Sequence, residues 1–541
     1  MNWAVHMIWS LAECHGKRGW NQMKRQTLCG MVLLAIAAIL VSCGGNAREQ
    51  AVSSGVQSAV TSAPSVKTNL VVALDGEPQQ LDPYAHSNQN GFVVSRLVFE
   101  SLMKTDDEGN VIPWLATAWN MVDDTTLQLT LRDDVFFHDG SKLTSEDVAY
   151  SLALAAKSSF TSNLFGSIDT ESFEIPDATH LVVKLKFPNA ALIPAMASYR
   201  CAIVSKNYYE TATDEQRSRH PMGTGPMRFK NWVTGDRIEL ESSDSYWGEP
   251  LPYKDFTARV IIEGSSRAIE LETGGVDIAF NLPDTEWDRI AGNPKTRLIS
   301  GNTQGVSFVT FNSSIAPYDN PDVRRGLAYA LNRDALVQVG WGGKADVADS
   351  FYAPTIFGHK SEHLPGYDPQ KAKEYLSKAG YNESNPLHLV YTTYDSTLNR
   401  NFSEAVQAMW TAVGVQCEIN FVDLAMYTTM NNAGKIQVSL MTNTAVINDP
   451  TAALLAWPTS RTISIRHNDA KVDEYLNAGR STYDQTERAS IYGELQDYLA
   501  DKLYTFPIAF PQNAYGSTSQ IANLPFYPNV VPDLSRITFT K

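Results

Sequence analysis

Two periodicities alternate along this 541-residue chain from about Leu70 onward: apolar residues at every second position, and apolar residues three or four apart. Runs such as Leu70–Leu74, Leu127–Leu131, Leu181–Leu185 and Val306–Phe311 alternate or are apolar throughout, and are predicted strands. Between them, helix starts can be read from capping residues. Thr144 precedes Ser145, Glu146 and Asp147 and opens a predicted helix to Ala156, with acids in the first turn where the helix dipole favours them. Asn320-Pro321 opens another through Leu331, with Val323, Leu327 and Leu331 on one face. Asp368-Pro369 opens a third that closes at Gly380, placing N-cap, first-turn proline and terminal glycine in their usual order. Thr486–Leu503 is a long amphipathic pattern with Ile491, Leu495 and Leu499 inward. Interleaved strands and helices over this length predict an α/β chain with more than one sheet, each covered by helices, and no internal repeat.

The first 67 residues break the pattern. From Met23 the chain reads MKRQTLCGMVLLAIAAILVSCGG, a basic start at Lys24 and Arg25 followed by an apolar run from Met31 to Val41. That run is shorter than the roughly 20 residues a bilayer-spanning helix needs, and its basic flank is that of an export signal, so residues 1–42 are expected to be a signal peptide. Residues 1–22 form a less hydrophobic stretch ahead of it, which leaves Met1 and Met23 both open as starts. Leu40-Val41-Ser42-Cys43 resembles a bacterial lipobox, which makes Cys43 the expected lipidated residue and the anchor to a membrane. Residues 43–67 are small and polar without apolar periodicity, so they are expected to act as a flexible tether.

Composition narrows the function classes. Eleven Trp, 23 Tyr and 21 Phe supply large cores for the remaining residues. The net charge of −15 argues against a nucleic-acid partner, whose usual footprint is basic. Beyond the leader, Cys43, Cys201 and Cys417 are the cysteines; whether the last two pair is not decided by spacing.

Several short blocks, taken in order, resemble a known family: Glu77-Pro78 to Asp82-Pro83, Gly109 to Trp119, Leu131 to Gly140, Leu143 to Val148, Gly223-Thr224-Gly225-Pro226, Asp244 to Trp247, Leu271 to Asp277, Asn320 to Arg333, Tyr367 to Lys373 and Asn448-Asp449-Pro450. Together they look like the family 5 extracellular solute-binding proteins, the binding subunits of ABC importers for dipeptides, oligopeptides and nickel. The resemblance implies a two-lobed, periplasmic-binding-protein-like fold of type II with a ligand cleft between the lobes. Lobe I would hold 68–303 plus 508–541, and lobe II 304–507. It implies no cofactor, a monomer, and two partners: a small peptide or other small solute, and the transmembrane subunits of an ABC permease. Most block residues are expected to be structural: Gly140, Gly223 and Gly225 as turn glycines, Trp114 and Trp119 as core.

The same resemblance bears on the ligand. Peptide binders of this family hold the ligand's α-ammonium on an aspartate shortly before the Asp-Pro element, and Val446 stands there in this chain. Another acid, Glu77 or Asp449, would have to replace it, or the ligand is not a simple peptide. In the nickel-binding branch a histidine falls near Arg461 here, and aromatic residues fall near Thr444 and Asn448. Arg200 lies near a loop where that branch places an arginine for a ligand carboxylate. The candidate ligand residues are therefore Glu77, Tyr84, Arg200, Tyr427, Asn448, Asp449 and Trp457.

One motif points to catalysis instead. His359, Glu362 and His363 fit the inverted zinc-protease pattern H-x-x-E-H, whose chemistry needs both histidines on one helix. Pro354, Gly358, Pro365 and Gly366 bracket the motif and predict a loop. A purely structural surface lipoprotein is the third class, distinguished by the lack of a closable cleft. The expectation is a binding protein, not an enzyme.

Overall fold

The computed structural model describes residues 68–106, 109–460 and 464–540. The leader, Cys43, the tether and Arg461 lie outside them. The predicted strands are present at Asn69–Leu74, Thr126–Leu131, His180–Lys184 and Gly305–Phe311. All seven residues of Gly305–Phe311 are buried, because strands cover both of its edges and side chains cover both faces.

Twelve strands form one continuous sheet organised by Thr505–Thr518. The first part of that strand pairs antiparallel with Gly305–Phe311 and Ala345–Val347. Its last part pairs antiparallel with Ile278–Ala279 and Thr296–Asn302. On the first side the sheet continues through Val438–Thr444 and His388–Tyr394 to Gln416–Val422; on the other it runs through Asn69–Leu74 and Asp255–Val260 to the hairpin Met227–Val233/Arg237–Ser242. A four-stranded antiparallel sheet stands apart, in the order Ala116–Asp123, Thr126–Leu131, His180–Lys184, Glu174–Asp177. This is the α/β architecture expected from the alternation of patterns.

The helices follow their capping signals. Ser145–Lys157 begins with a capping box, the Thr144 backbone N–H and hydroxyl both donating to Asp147 at 2.9 and 2.8 Å. Pro369–Lys378 is capped by Asp368, and Gly380 takes φ +93° just past its end. Pro321–Tyr329 stops before Leu331, although Val323, Leu327 and Leu331 are all buried as predicted. Gln485–Lys502 buries Leu495 and Leu499, but Tyr492 and Gln496 point inward in place of Ile491. The helix is turned because Gln496 is held inside, its amide oxygen accepting from Ser350 and its amide nitrogen donating to Tyr352, at 2.6 and 2.7 Å. Gly140 is a turn glycine with φ +84°, whereas Gly223 and Gly225 are required by close packing: a Cβ there would stand 2.2 and 2.5 Å from the carbonyls of Val98 and Leu97. Cys201 and Cys417 are free, and burial pushes both thiols up to about 12. No helix among the described residues is long and apolar enough to cross a membrane.

Candidate functional site

Two segments far apart in sequence carry most of the candidate residues. The first is the loop leaving strand Asn69–Leu74. Asn88 caps helix Gln89–Ser95 by accepting from the Gly91 N–H at 3.0 Å, which fixes the loop ahead of it. There His86 Nδ1 accepts from the Asn88 backbone N–H at 3.1 Å, so the neutral ring carries its proton on Nε2. That Nε2 is buried and has no partner, and burial, reinforced by the charge of Arg200, lowers the imidazole to about 4. The ring packs on Phe92 at 4.4 Å.

Arg200 reaches the same aromatic ring from the turn after helix Leu192–Met196. Its guanidinium lies 4.4 Å from the Phe92 centroid and 5.4 Å from that of Tyr199. It is 7% exposed, its Nε has no hydrogen-bond partner, and no ion pair to it exists among the described residues. Tyr84 binds this turn to the loop, its buried hydroxyl donating to the Ala202 carbonyl. Arg200 and Tyr84 therefore belong to one constellation, with His86, Phe92 and Tyr199 as members that the sequence reading missed. His86 lies three residues beyond the block that ends at Pro83 and belongs to no motif of its own.

The second segment follows strand Val438–Thr444. Asn448 is exposed, its Oδ1 accepting from the Phe357 N–H at 2.7 Å; its amide faces Gly109, whose added Cβ would lie 3.4 Å away. Asp449 is 1% exposed and both its oxygens are taken by Arg488, at 2.6 and 2.9 Å, while it also caps the turn Pro450–Ala453. Its carboxylate is therefore spent on a buried ion pair and is not placed to receive a ligand's ammonium. Trp457 is buried with its indole N–H unpartnered. Tyr427 is buried against Tyr394, with its hydroxyl 2.8 Å from that of Ser439. Glu77 is drawn elsewhere: it accepts from the Trp232 indole and the Gly235 N–H at 2.8 and 3.1 Å, tying its loop to the hairpin.

Two cavities of about 550 and 640 Å³ lie around Arg325 and Asp501, and none of the seven candidate residues lines them. The H-x-x-E-H residues are in an irregular segment, as their bracketing prolines and glycines predict. His359 pairs with Asp349 at 3.3 Å and Glu362 with Lys360 at 3.5 Å, so the three do not converge on one helix face. No cluster able to hold a metal ion exists among the described residues. The zinc-protease alternative has no geometric basis here.

Comparison with known proteins agrees with the sheet architecture. Glutathione-binding protein GsiB of Salmonella paratyphi A is 27% identical over 462 residues, covering 82% of this chain and 90% of that protein. The periplasmic binding protein DppA of Helicobacter pylori, an ABC transporter-associated protein solved in complex with the peptide STSA, superposes with a TM-score of 0.74 at 22% identity, covering 88% of this chain and 99% of the other. NikA of Staphylococcus aureus, solved in complex with Ni(L-His)2, gives 0.71 at 22%, covering 87% and 100%. The fold is thus that of the type II periplasmic binding proteins, as expected. Residues 110–464 match the model for bacterial extracellular solute-binding proteins, family 5 Middle. The chain belongs to family 5 of the bacterial extracellular solute-binding proteins, the substrate-binding components of ABC importers.

Proposed function

We propose that the chain captures a small, carboxylate-bearing peptide or peptide-like solute between its lobes and delivers it to an ABC permease without chemically changing it. The observation that carries this reading is Arg200, a guanidinium that is 7% exposed with no carboxylate partner among the described residues. A buried charge of this kind costs several kcal/mol unless paired, and a ligand carboxylate supplies the missing partner. His86 Nε2–H beside it is a second donor without an acceptor. On the other lobe, the free indole N–H of Trp457 and the exposed Asn448 are the candidate contacts. The named function of the GsiB relatives fits, since glutathione is a peptide with two carboxylates.

The engagement of Asp449 favours a narrower version. With Val446 in the aspartate's place and Asp449 bound to Arg488, this segment offers no free carboxylate to an α-ammonium. Recognition then rests on the ligand's acid groups, which admits amino-acid chelates of nickel as well as peptides. The Cys43 motif supports a lipid-anchored protein on the extracytoplasmic face, and the lobes are assigned as 68–303 with 508–541, and 304–507.

The test uses residues 44–541 and thermal unfolding with glutathione, di- and tripeptides, their C-terminal amides, and nickel–histidine. A ligand that binds the folded state raises the midpoint by mass action. The expected result is a shift with a free carboxylate that is lost with the amide and lost in Arg200→Gln. A shift that survives both changes would overturn the reading.

A further inference from the structure

A set of contacts joins segments assigned to different lobes, one at 187–190 with Asp124 and one at 480–483. The small four-stranded sheet presents the turn at Asp124 and the segment Phe187–Ala190. Facing them is the connection between helices Ala470–Ser481 and Gln485–Lys502. The Ala190 N–H donates to the Arg480 carbonyl at 2.8 Å. The Tyr483 hydroxyl accepts from the Asn189 N–H at 3.2 Å and donates to the Asp124 carbonyl at 2.9 Å. Above these bonds the Arg480 guanidinium lies 4.6 Å from the centre of the Phe187 ring.

Both sides of this contact lead by short, rigid routes to the ligand segments. On one side, the buried Asn189 is fixed by bonds from its amide to Leu164 and Ser167 and from the Ala191 N–H to its oxygen, at 3.2, 2.9 and 3.2 Å. Helix Leu192–Met196 then connects it to Arg200. On the other, Arg488 donates to the Gly479 carbonyl at 2.7 Å, one residue before Arg480, while holding Asp449 at 2.6 Å, one residue after Asn448.

We propose that Asp124, Phe187–Ala190, Arg480 and Tyr483 form a clasp between the lobes, which closes together with the cleft and biases the unliganded protein toward the closed state. This inference rests on the two-lobed reading of the chain. The bonds are backbone-to-backbone or to one phenol, so they discriminate position but not ligand. The clasp therefore adds a ligand-independent increment to every affinity, by raising the fraction of binding-competent molecules.

The experiment measures the distance distribution between spin labels at Ile175 and Glu474, both exposed, in residues 44–541 with Cys417→Ser and no ligand. Tyr483→Phe removes a donor and an acceptor at once, and should shift the distribution to longer distances while the melting midpoint stays within a few degrees. Phe187→Glu sets a carboxylate under the Arg480 guanidinium and should shift it to shorter, narrower distances. Asn448→Trp, a wedge opposite Gly109, serves as the control for lobe movement. If the wedge lengthens the distance and neither clasp variant changes it, the clasp is overturned. Should the wedge fail to move the labels as well, the two-lobed motion itself is wrong.

Discussion

Asp449 and Arg488 are each 1% exposed and meet through two short hydrogen bonds, 39 residues apart in sequence. Asp449→Asn or Arg488→Met leaves one buried charge uncompensated, and should cost about 3–5 kcal/mol in chemical denaturation. His86 gives a second prediction, in pH. Its imidazole is held at about 4 by burial and by Arg200, against 6.5 when exposed. Below 6.5 the unfolded chain takes up a proton that the folded chain refuses, so stability falls as pH drops from 6.5 to about 4, by on the order of 3 kcal/mol from this residue. In His86→Gln that share of the slope should vanish from denaturation curves recorded across the window. Neither relation had a signature in the sequence. A through-space pair leaves no periodic mark, and Glu77, chosen for its place in a family block, turns out to bond Trp232 at 155 residues' separation.

At the scale of elements, local chemistry was legible wherever it acts within one turn. Thr144 with Asp147, and Asp368 with Gly380, set helix ends that match their sequence signals. Faces were less legible, since Ile491 lost its inward position to Gln496, a polar residue whose partners come from the distant segment 350–358. Asp147 shows how one capping residue can serve two elements. Besides Thr144 it accepts from the Lys206 N–H at 2.9 Å, at the start of helix Lys206–Thr211. Asp147→Ala should therefore cost about 2–3 kcal/mol, more than the ~1 kcal/mol of an ordinary cap, as read from the midpoint of urea unfolding.

For the whole molecule, the alternation of patterns foretold the α/β class, and the ordered blocks foretold the family. The route of the chain between the two sides of the sheet was not readable from periodicity, because Thr505–Thr518 is buried along most of its length and interrupted by Pro507 and Pro511. It is also the strand on which both sides close: Gly305–Phe311 on one and Thr296–Asn302 on the other both need it as neighbour. A chain ending at residue 504 should accordingly fail to fold in either half, with no cooperative unfolding transition in calorimetry. Synthesis proceeds from the N-terminus, so neither half can complete its sheet until these last residues have left the ribosome. With its central strand arriving last, each side of the sheet should keep an open edge until synthesis is nearly complete, so folding of the whole molecule waits on its C-terminal segment.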